Sequence, residues 1–396
     1  MRTHCVARSL VGSLLVTALM VAGCRQQAPQ VDRDAFVDLP PGSFARSWQA
    51  VLPTVQGKVN GLHLLGDRVY VTTDTNQMYG LNQASGLVSF GVRTAPADEP
   101  TRAPVLVAGN LAVARTNSIG LYDLSGNLVR DITLGRPIRS APAVQRNTLL
   151  LGVDAPNGGR LAKVDVTRQY VPILWEVTTG TITSRPAVLG DLIFAASLNG
   201  RVWACDDERM QVWNLPGGYF STDKAITADL VVDEYGVYVA GEDTKLYVLD
   251  RLNGRLRWTY FAGVALTNTP VVTAETVYLR VPGKGMVAIT KTGEQKFRTP
   301  KWVNASVRQV VSFDDRHVYA VRNDNALVAL DKETGQEKFA SERRDLTIFA
   351  TNQQSPIIYA ATEAGEIIAV RPVLRAGTSG QLVLAPIDAG EPIAMR

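Results

Sequence analysis

Cysteine and histidine are scarce, with three of each in the chain. Three cysteines in 396 residues cannot staple a fold together. The three histidines, His4, His63 and His317, lie far apart, and no spacing gathers ligands as a zinc site requires. No sign of charge dominates either. The 41 Lys and Arg stand against 37 Asp and Glu, a formal +4 with no basic run, so an electrostatic footprint for nucleic acid is missing. Only one apolar run approaches membrane-spanning length, and it is N-terminal, which excludes a polytopic membrane protein. A Gly-rich phosphate loop before a helix is absent, and so is Gly-x-Ser-x-Gly. What is there is ordinary globular material, 46% apolar and 20% charged, with 33 Gly and 20 Pro.

The N-terminal run has a recognisable order. Arg2 and Arg8 precede an apolar stretch from Leu10 to Ala22, and Val21-Ala22-Gly23-Cys24 closes it. That ending resembles the bacterial lipobox, in which small residues expose the bond to a peptidase and the thiol receives a diacyl lipid. A plain secretory signal with an incidental cysteine is the alternative; a single-pass anchor would need a longer run. Residues 1–23 are therefore expected to be a lipoprotein signal peptide, with Cys24 lipidated. Arg25 in place of Asp favours the outer membrane, by resemblance to the enterobacterial sorting rule. Removal of Arg2 and Arg8 lowers the positive charge by two, still close to neutral. Residues 24–43, with Gln26-Gln27-Ala28-Pro29-Gln30 and Pro40-Pro41-Gly42, have the composition of an exposed tether.

After the tether the chain repeats itself. The clearest copies begin at Val69, Val237 and Val318; weaker ones begin at Leu111, Leu149, Ile193, Val277 and Ile358. The mean period is about 41 residues, in the range of four-stranded propeller blades. Each clear copy opens with an alternating apolar strand, turns, and continues in a second short strand such as Leu246–Leu249 or Leu327–Leu330. Then comes Asp250-x-x-x-Gly254, Asp331-x-x-x-Gly335 or Asn82-x-x-x-Gly86. There the Asx side chain can bind backbone amides and Gly takes a positive φ. Four residues beyond each Gly stands an aromatic: Trp258, Phe339, Phe90, and Phe297 after Gly293, with Trp213 and Trp175 in the same place in degenerate units. One ring per unit suits packing between neighbouring sheets. The eighth unit, ending near Val370, lacks turn and aromatic, while Trp48 lies in a strand with no unit ahead of it. An N-terminal strand completing the last blade would close the ring. The expected fold is all-β, an eight-bladed β-propeller of four-stranded antiparallel blades over 44–373. Seven blades is the alternative, because units two and three are short and irregular. Residues 374–396 form a C-terminal extension.

The signature Leu/Val-x-Ala/Val-Leu-Asp-x-x-x-Gly-x-x-x-Trp resembles the repeat of pyrroloquinoline-quinone-type propellers over nearly the whole mature chain. Within that family, length, lipobox, tether and eight-unit layout are similar to the BamB-type lipoproteins of the outer-membrane β-barrel assembly machinery. The resemblance implies a periplasm-facing, outer-membrane-anchored, monomeric scaffold that holds envelope proteins, is not an enzyme and carries no cofactor. The alternatives are a quinoprotein-like enzyme or sensor with a ligand on the axis, and an envelope glycan-binding propeller. Quinoprotein dehydrogenases resemble one another in a vicinal disulfide. Here Cys205 stands alone, at the place of Leu249, Leu330 and Leu81 in sister units, which reads as a buried core thiol. The acidic turns Asp314-Asp315 and Asp206-Asp207-Glu208 read as solvated turns, with an incidental cation site as the alternative. In the BamB type, the resemblance implies a docking loop matching Thr181–Pro186 and an acidic loop one blade further on, matched to Ala265–Pro270; Arg185 survives, but the apolar flank and the acids do not.

One further pattern carries a functional expectation. Ser/Thr and Pro recur before apolar strands, in Thr101–Pro104, Arg139–Pro142, Ser184–Pro186, Thr269-Pro270 and Ser355-Pro356. In this repeat family such segments lead into the innermost strand. Arg102, Arg139, Arg185 and Arg308 would then form a basic collar at one mouth of the ring. It would suit an acidic loop of a partner or an anionic glycan, since Arg pairs bidentately with carboxylates; solvated rim charge is the plainer alternative.

Overall fold

The computed structural model describes residues 43–373, except 54, 169, 171 and 294. The described residues contain eight sheets of four antiparallel strands. Blade one is typical, with strands Val59–Leu65, Arg68–Thr73, Gln77–Asn82 and Val88–Arg93 running outward from the axis. First strands of neighbouring blades touch one another, which places them innermost. The eight repeat starts Val69, Leu111, Leu149, Ile193, Val237, Val277, Val318 and Ile358 all fall on second strands, and all are 0% exposed. Burial of such a side chain contributes about 1.5–3 kcal/mol, and the repeat supplies it eight times at the same place. Cys205 pairs with Ile193 as Leu249 pairs with Val237, and it is buried.

Blade eight settles the number of blades at eight rather than seven. The N-terminal strand Ser43–Val51 pairs along Glu366–Val373, from Ser43 opposite Val373 to Val51 opposite Glu366, with one register shift between Arg46 and Trp48. It completes a sheet with Ile358–Ala361 and Ile348–Phe349. The expected signal peptide, Cys24 and residues 374–396 lie outside the described residues.

Because strands alternate in direction, the ring has two distinct ends. One carries the segments leading into each first strand and the hairpins between second and third strands; we call it the lead end. The other carries the turns between third and fourth strands and is called the turn end. At the turn end the Asx-x-x-x-Gly expectation holds. Asp250 Oδ1 accepts the amides of Leu252 and Asn253 at 2.9 and 3.1 Å, and Gly254, at φ 72°, closes the loop by donating to the Asp250 carbonyl at 2.8 Å. A Cβ on Gly254 would stand 2.6 Å from the Trp213 ring of the preceding blade.

That contact is one of a series. A tryptophan on the outer side of a blade donates its indole N–H to the carbonyl just after the next blade's turn Asx or its counterpart; four lie on outer strands, and Trp213 lies in the segment before its blade's outer strand, Tyr219–Ser221. Trp48 reaches Gln83 at 2.9 Å, Trp175 Asp207 at 3.2 Å, Trp213 Arg251 at 3.0 Å and Trp258 Lys291 at 2.9 Å. Blade six departs from the spacing rule. Its latch is Trp302, 6% exposed, bonded to the Lys332 carbonyl at 3.1 Å; the predicted ring, Phe297, is 77% exposed. The reason is an insertion. After Gly293 the chain leaves its own blade and pairs in parallel with the outer strand of blade five, where the Thr259 amide donates to Lys296 and the Arg298 amide to Thr259. Only afterwards does it return as the outer strand Trp302–Asn304.

Candidate functional site

Most of the predicted leads sit where expected. Thr101–Pro104, Arg139–Pro142, Ser184–Pro186 and Thr269-Pro270 enter the first strands Val105–Val107, Ala143–Gln145, Ala187–Leu189 and Val271–Val272. Ser355-Pro356 does not. It precedes Ile358–Ala361, a second strand, because blade eight turns there between its first two strands. One lead escaped the sequence pattern. Thr227-Ala228-Asp229-Leu230 enters Val231–Val232 of blade five, with Leu in place of Pro. The stretch one blade beyond Thr181–Pro186 is therefore this one and not Ala265–Pro270, and it does carry an acid.

The four predicted arginines do cluster at the lead end, but in three groups rather than one even ring. Arg102 is half-buried and aims Nη2 at the Ile138 carbonyl at 3.5 Å; burial, and then the neighbouring Arg139, push its pKa down. Arg139 is held by Asp154, with Nε donating to Oδ2 at 2.5 Å, and that bond raises its pKa. Arg185 donates its backbone N–H to Asp229 Oδ1 at 2.7 Å, while its guanidinium stays 3.9 Å from Oδ2. Its Nε is buried without a hydrogen-bond partner. Arg308 donates Nη2 to Asn325 Oδ1 and to the Thr347 carbonyl, each at 3.1 Å, and stands 5.9 Å from the Phe349 ring; its Nε also lacks a partner. Burial, and then Arg280, lower the Arg308 pKa.

Arg280, His63, Asp154 and Asp229 belong to the site and were not foreseen. Arg280 donates to the Arg308 carbonyl at 2.9 Å and adds a cation. His63 lies on the first strand of blade one, where burial, and then the charge of Arg185, lower its pKa to about 4. Arg185 of blade four is thus felt across the axis. It also lines a cavity of about 370 Å³ with Leu64, Leu106, Val144 and Val188, one apolar side chain from each of four inner strands. The axial mouth is accordingly a basic rim over an apolar throat. Thr183 and Thr347 add hydroxyls that are buried and unpaired, so the rim holds several donors in need of an acceptor. Among the described residues no three His, Cys, Asp or Glu side chains converge as a metal site. No helix among them is long and apolar enough to cross a membrane.

The fold defines the class: an eight-bladed β-propeller with tryptophan latches between neighbouring blades. A family model described as outer membrane protein assembly factor BamB matches residues 45–210, 207–312 and 287–383, and the chain belongs to that family. The outer membrane protein assembly factor BamB of Yersinia pestis is 24% identical over 219 residues, half of this chain; the match spans about half of that relative's length, 52%. The crystal structure of BamB from Moraxella catarrhalis is similar with a TM-score of 0.63 at 14% identity, covering 83% of this chain and 98% of that one. A computationally designed protein, Ika8, is similar at a TM-score of 0.62 and 13% identity, covering 81% of this chain and 98% of that one. At these identities the two structures speak for the fold alone.

Proposed function

We propose that this protein is an exported lipoprotein, anchored through Cys24 to the outer membrane and facing the periplasm. There it holds other proteins during outer-membrane protein assembly and performs no chemistry of its own. Its family membership supports the scaffold role. The observation that carries the partner site is the lead-end rim, where Arg185 and Arg308 each keep a buried guanidinium nitrogen without a hydrogen bond, and Arg102, Arg139 and Arg280 add cations to the same end. Unpaired buried donors are costly unless an acceptor arrives. An acidic loop of a partner supplies carboxylates of the right geometry. Arg139 contributes less than its neighbours because Asp154 already neutralises it.

The test is in-cell crosslinking with affinity capture of the tagged full chain from its own membranes. The β-barrel assembly machinery is expected in the captured fraction, and the double change Arg185→Glu with Arg308→Glu is expected to remove it while circular dichroism stays unchanged. Capture of no envelope protein above background would end the scaffold reading. Undiminished capture by the double variant would end the collar.

A further inference from the structure

At the turn end, arginines and exposed apolar side chains alternate on three adjacent blades. In blade three Arg168 stands two residues before Tyr170, which is 78% exposed. In blade four Arg209 precedes Met210, 64% exposed, and in blade five Arg251 precedes Leu252 and Arg255 precedes Leu256, 57% and 44% exposed. The acids of these turns are half-buried and engaged locally, and two of the arginines have carboxylate partners: Arg168 stands 3.3 Å from Asp165 and Arg251 2.7 Å from Glu234. Asp165, Asp206 and Asp250 spend a carboxylate oxygen on their own turn's amides. Arg168, Arg209 and Arg255 reach solvent, with Glu208 the one exposed acid inside these three turns. Cationic heads beside apolar side chains are the composition of surfaces that lie on anionic bilayers. There the arginines meet phosphates and the apolar groups enter the headgroup boundary.

The chain's own course fixes which membrane face this end would meet. Fourth strands start at the turn end, so Ser43, the first residue of the closing strand, is there, opposite Val373. The segment from Cys24 joins the ring at the same end as the Arg-apolar arc. It is 19 residues long, at most about 65 Å when extended, so the anchor keeps this end within reach of the bilayer.

We propose that the turn end of blades three to five is a lipid-binding surface that rests on the anionic phospholipid headgroups of the anchoring membrane, leaving the arginine rim of the lead end facing away from it. This rests on the lipid-anchor reading above. The docked orientation explains a division of labour between the ends: one holds the bilayer, the other is presented to partners.

The test uses the full lipidated chain, its acyl mass at Cys24 verified by mass spectrometry, reconstituted in phosphatidylethanolamine–phosphatidylglycerol vesicles with nitroxide-bearing lipids. A fluorophore is placed through Met210→Cys or Leu252→Cys, and through Lys224→Cys at the lead end as reference. Quenching several-fold stronger at the first two positions than at the third is expected, reduced by Arg255→Glu and in phosphatidylcholine vesicles. Equal quenching at all three positions overturns the proposal, and indifference to lipid charge overturns its anionic part. Absence of acyl chains on Cys24 overturns the anchor reading together with the orientation, and the mass alone reports that failure.

Discussion

Trp302 and Phe297 offer the sharpest test of how this ring is held together, because spacing nominates one and packing the other. Trp302→Ala removes an indole that is 6% exposed and leaves the Lys332 carbonyl without its donor. Large-to-small changes of this kind cost about 3–5 kcal/mol. Trp302→Phe isolates the hydrogen bond, whose loss is worth about 1 kcal/mol. The reciprocal change Gly335→Ala attacks the same contact from blade seven. A Cβ there would stand 2.5 Å from the ring, at a φ of 69° that an L side chain rarely adopts. Overpacking of that sort costs about 1–3 kcal/mol. Phe297→Ala trims a side chain that is 77% exposed and belongs within about 0.5 kcal/mol of neutral. The assay is the urea midpoint of each variant followed by tryptophan fluorescence and far-ultraviolet circular dichroism. The expected order of loss is Trp302→Ala, then Gly335→Ala, then Trp302→Phe, with Phe297→Ala at the wild-type midpoint. A midpoint for Phe297→Ala at or below that of Trp302→Ala would refute the assignment of the latch.

Two further outcomes follow from groups at the axis and in the core. His63 is neutral in the folded chain down to a pKa of about 4, against an ordinary 6.5. The unfolded chain takes up the proton first, so stability falls as pH drops through that window and does not depend on this group above it; His63→Gln should flatten the dependence. A His63 imidazole that titrates at its ordinary value by NMR would contradict the burial argument. Cys205 is buried, and burial, followed by Asp206, pushes its thiol up to about 12. It should resist iodoacetamide at neutral pH until the chain is denatured, and stoichiometric native alkylation would show the thiol to be accessible.

The parts of the fold that were legible in sequence are those that every blade must solve alike. Each second strand meets the same pair of neighbours, so one position at its start carries a buried aliphatic side chain in all eight units, from Val69 to Ile358. The turn Asx and Gly recur because one loop geometry seats the preceding blade's ring. Cys205 could be placed among these without any homologue. The rest lay where blades differ. The excursion after Gly293 changes only length, so spacing assigned the latch to Phe297 and missed Trp302. Leu230 does the work of a proline in blade five, which hid Asp229. The collar arginines were visible as residues, but their state depends on contacts distant in sequence: Asp154 on Arg139, Asp229 on Arg185, Arg280 beside Arg308. Periodicity carries packing and is blind to such pairings.

The latches also have a direction, and it bears on how the proposed anchor would be attached. Each runs from the outer side of one blade to the turn of the next, so a linear array of blades would leave the first turn without its ring. Trp48 fills that place, donating to Gln83 of blade one, from a strand that is also zipped along Glu366–Val373. The N-terminal strand therefore closes the circle twice, by backbone pairing to the last blade and by the indole to the first. The segment that follows Cys24 enters the ring through this same strand. Force on the proposed lipid anchor would load an element whose release opens a sheet edge and frees a latch together. A closing strand of eight paired residues, longer than most outer strands here, suits that position.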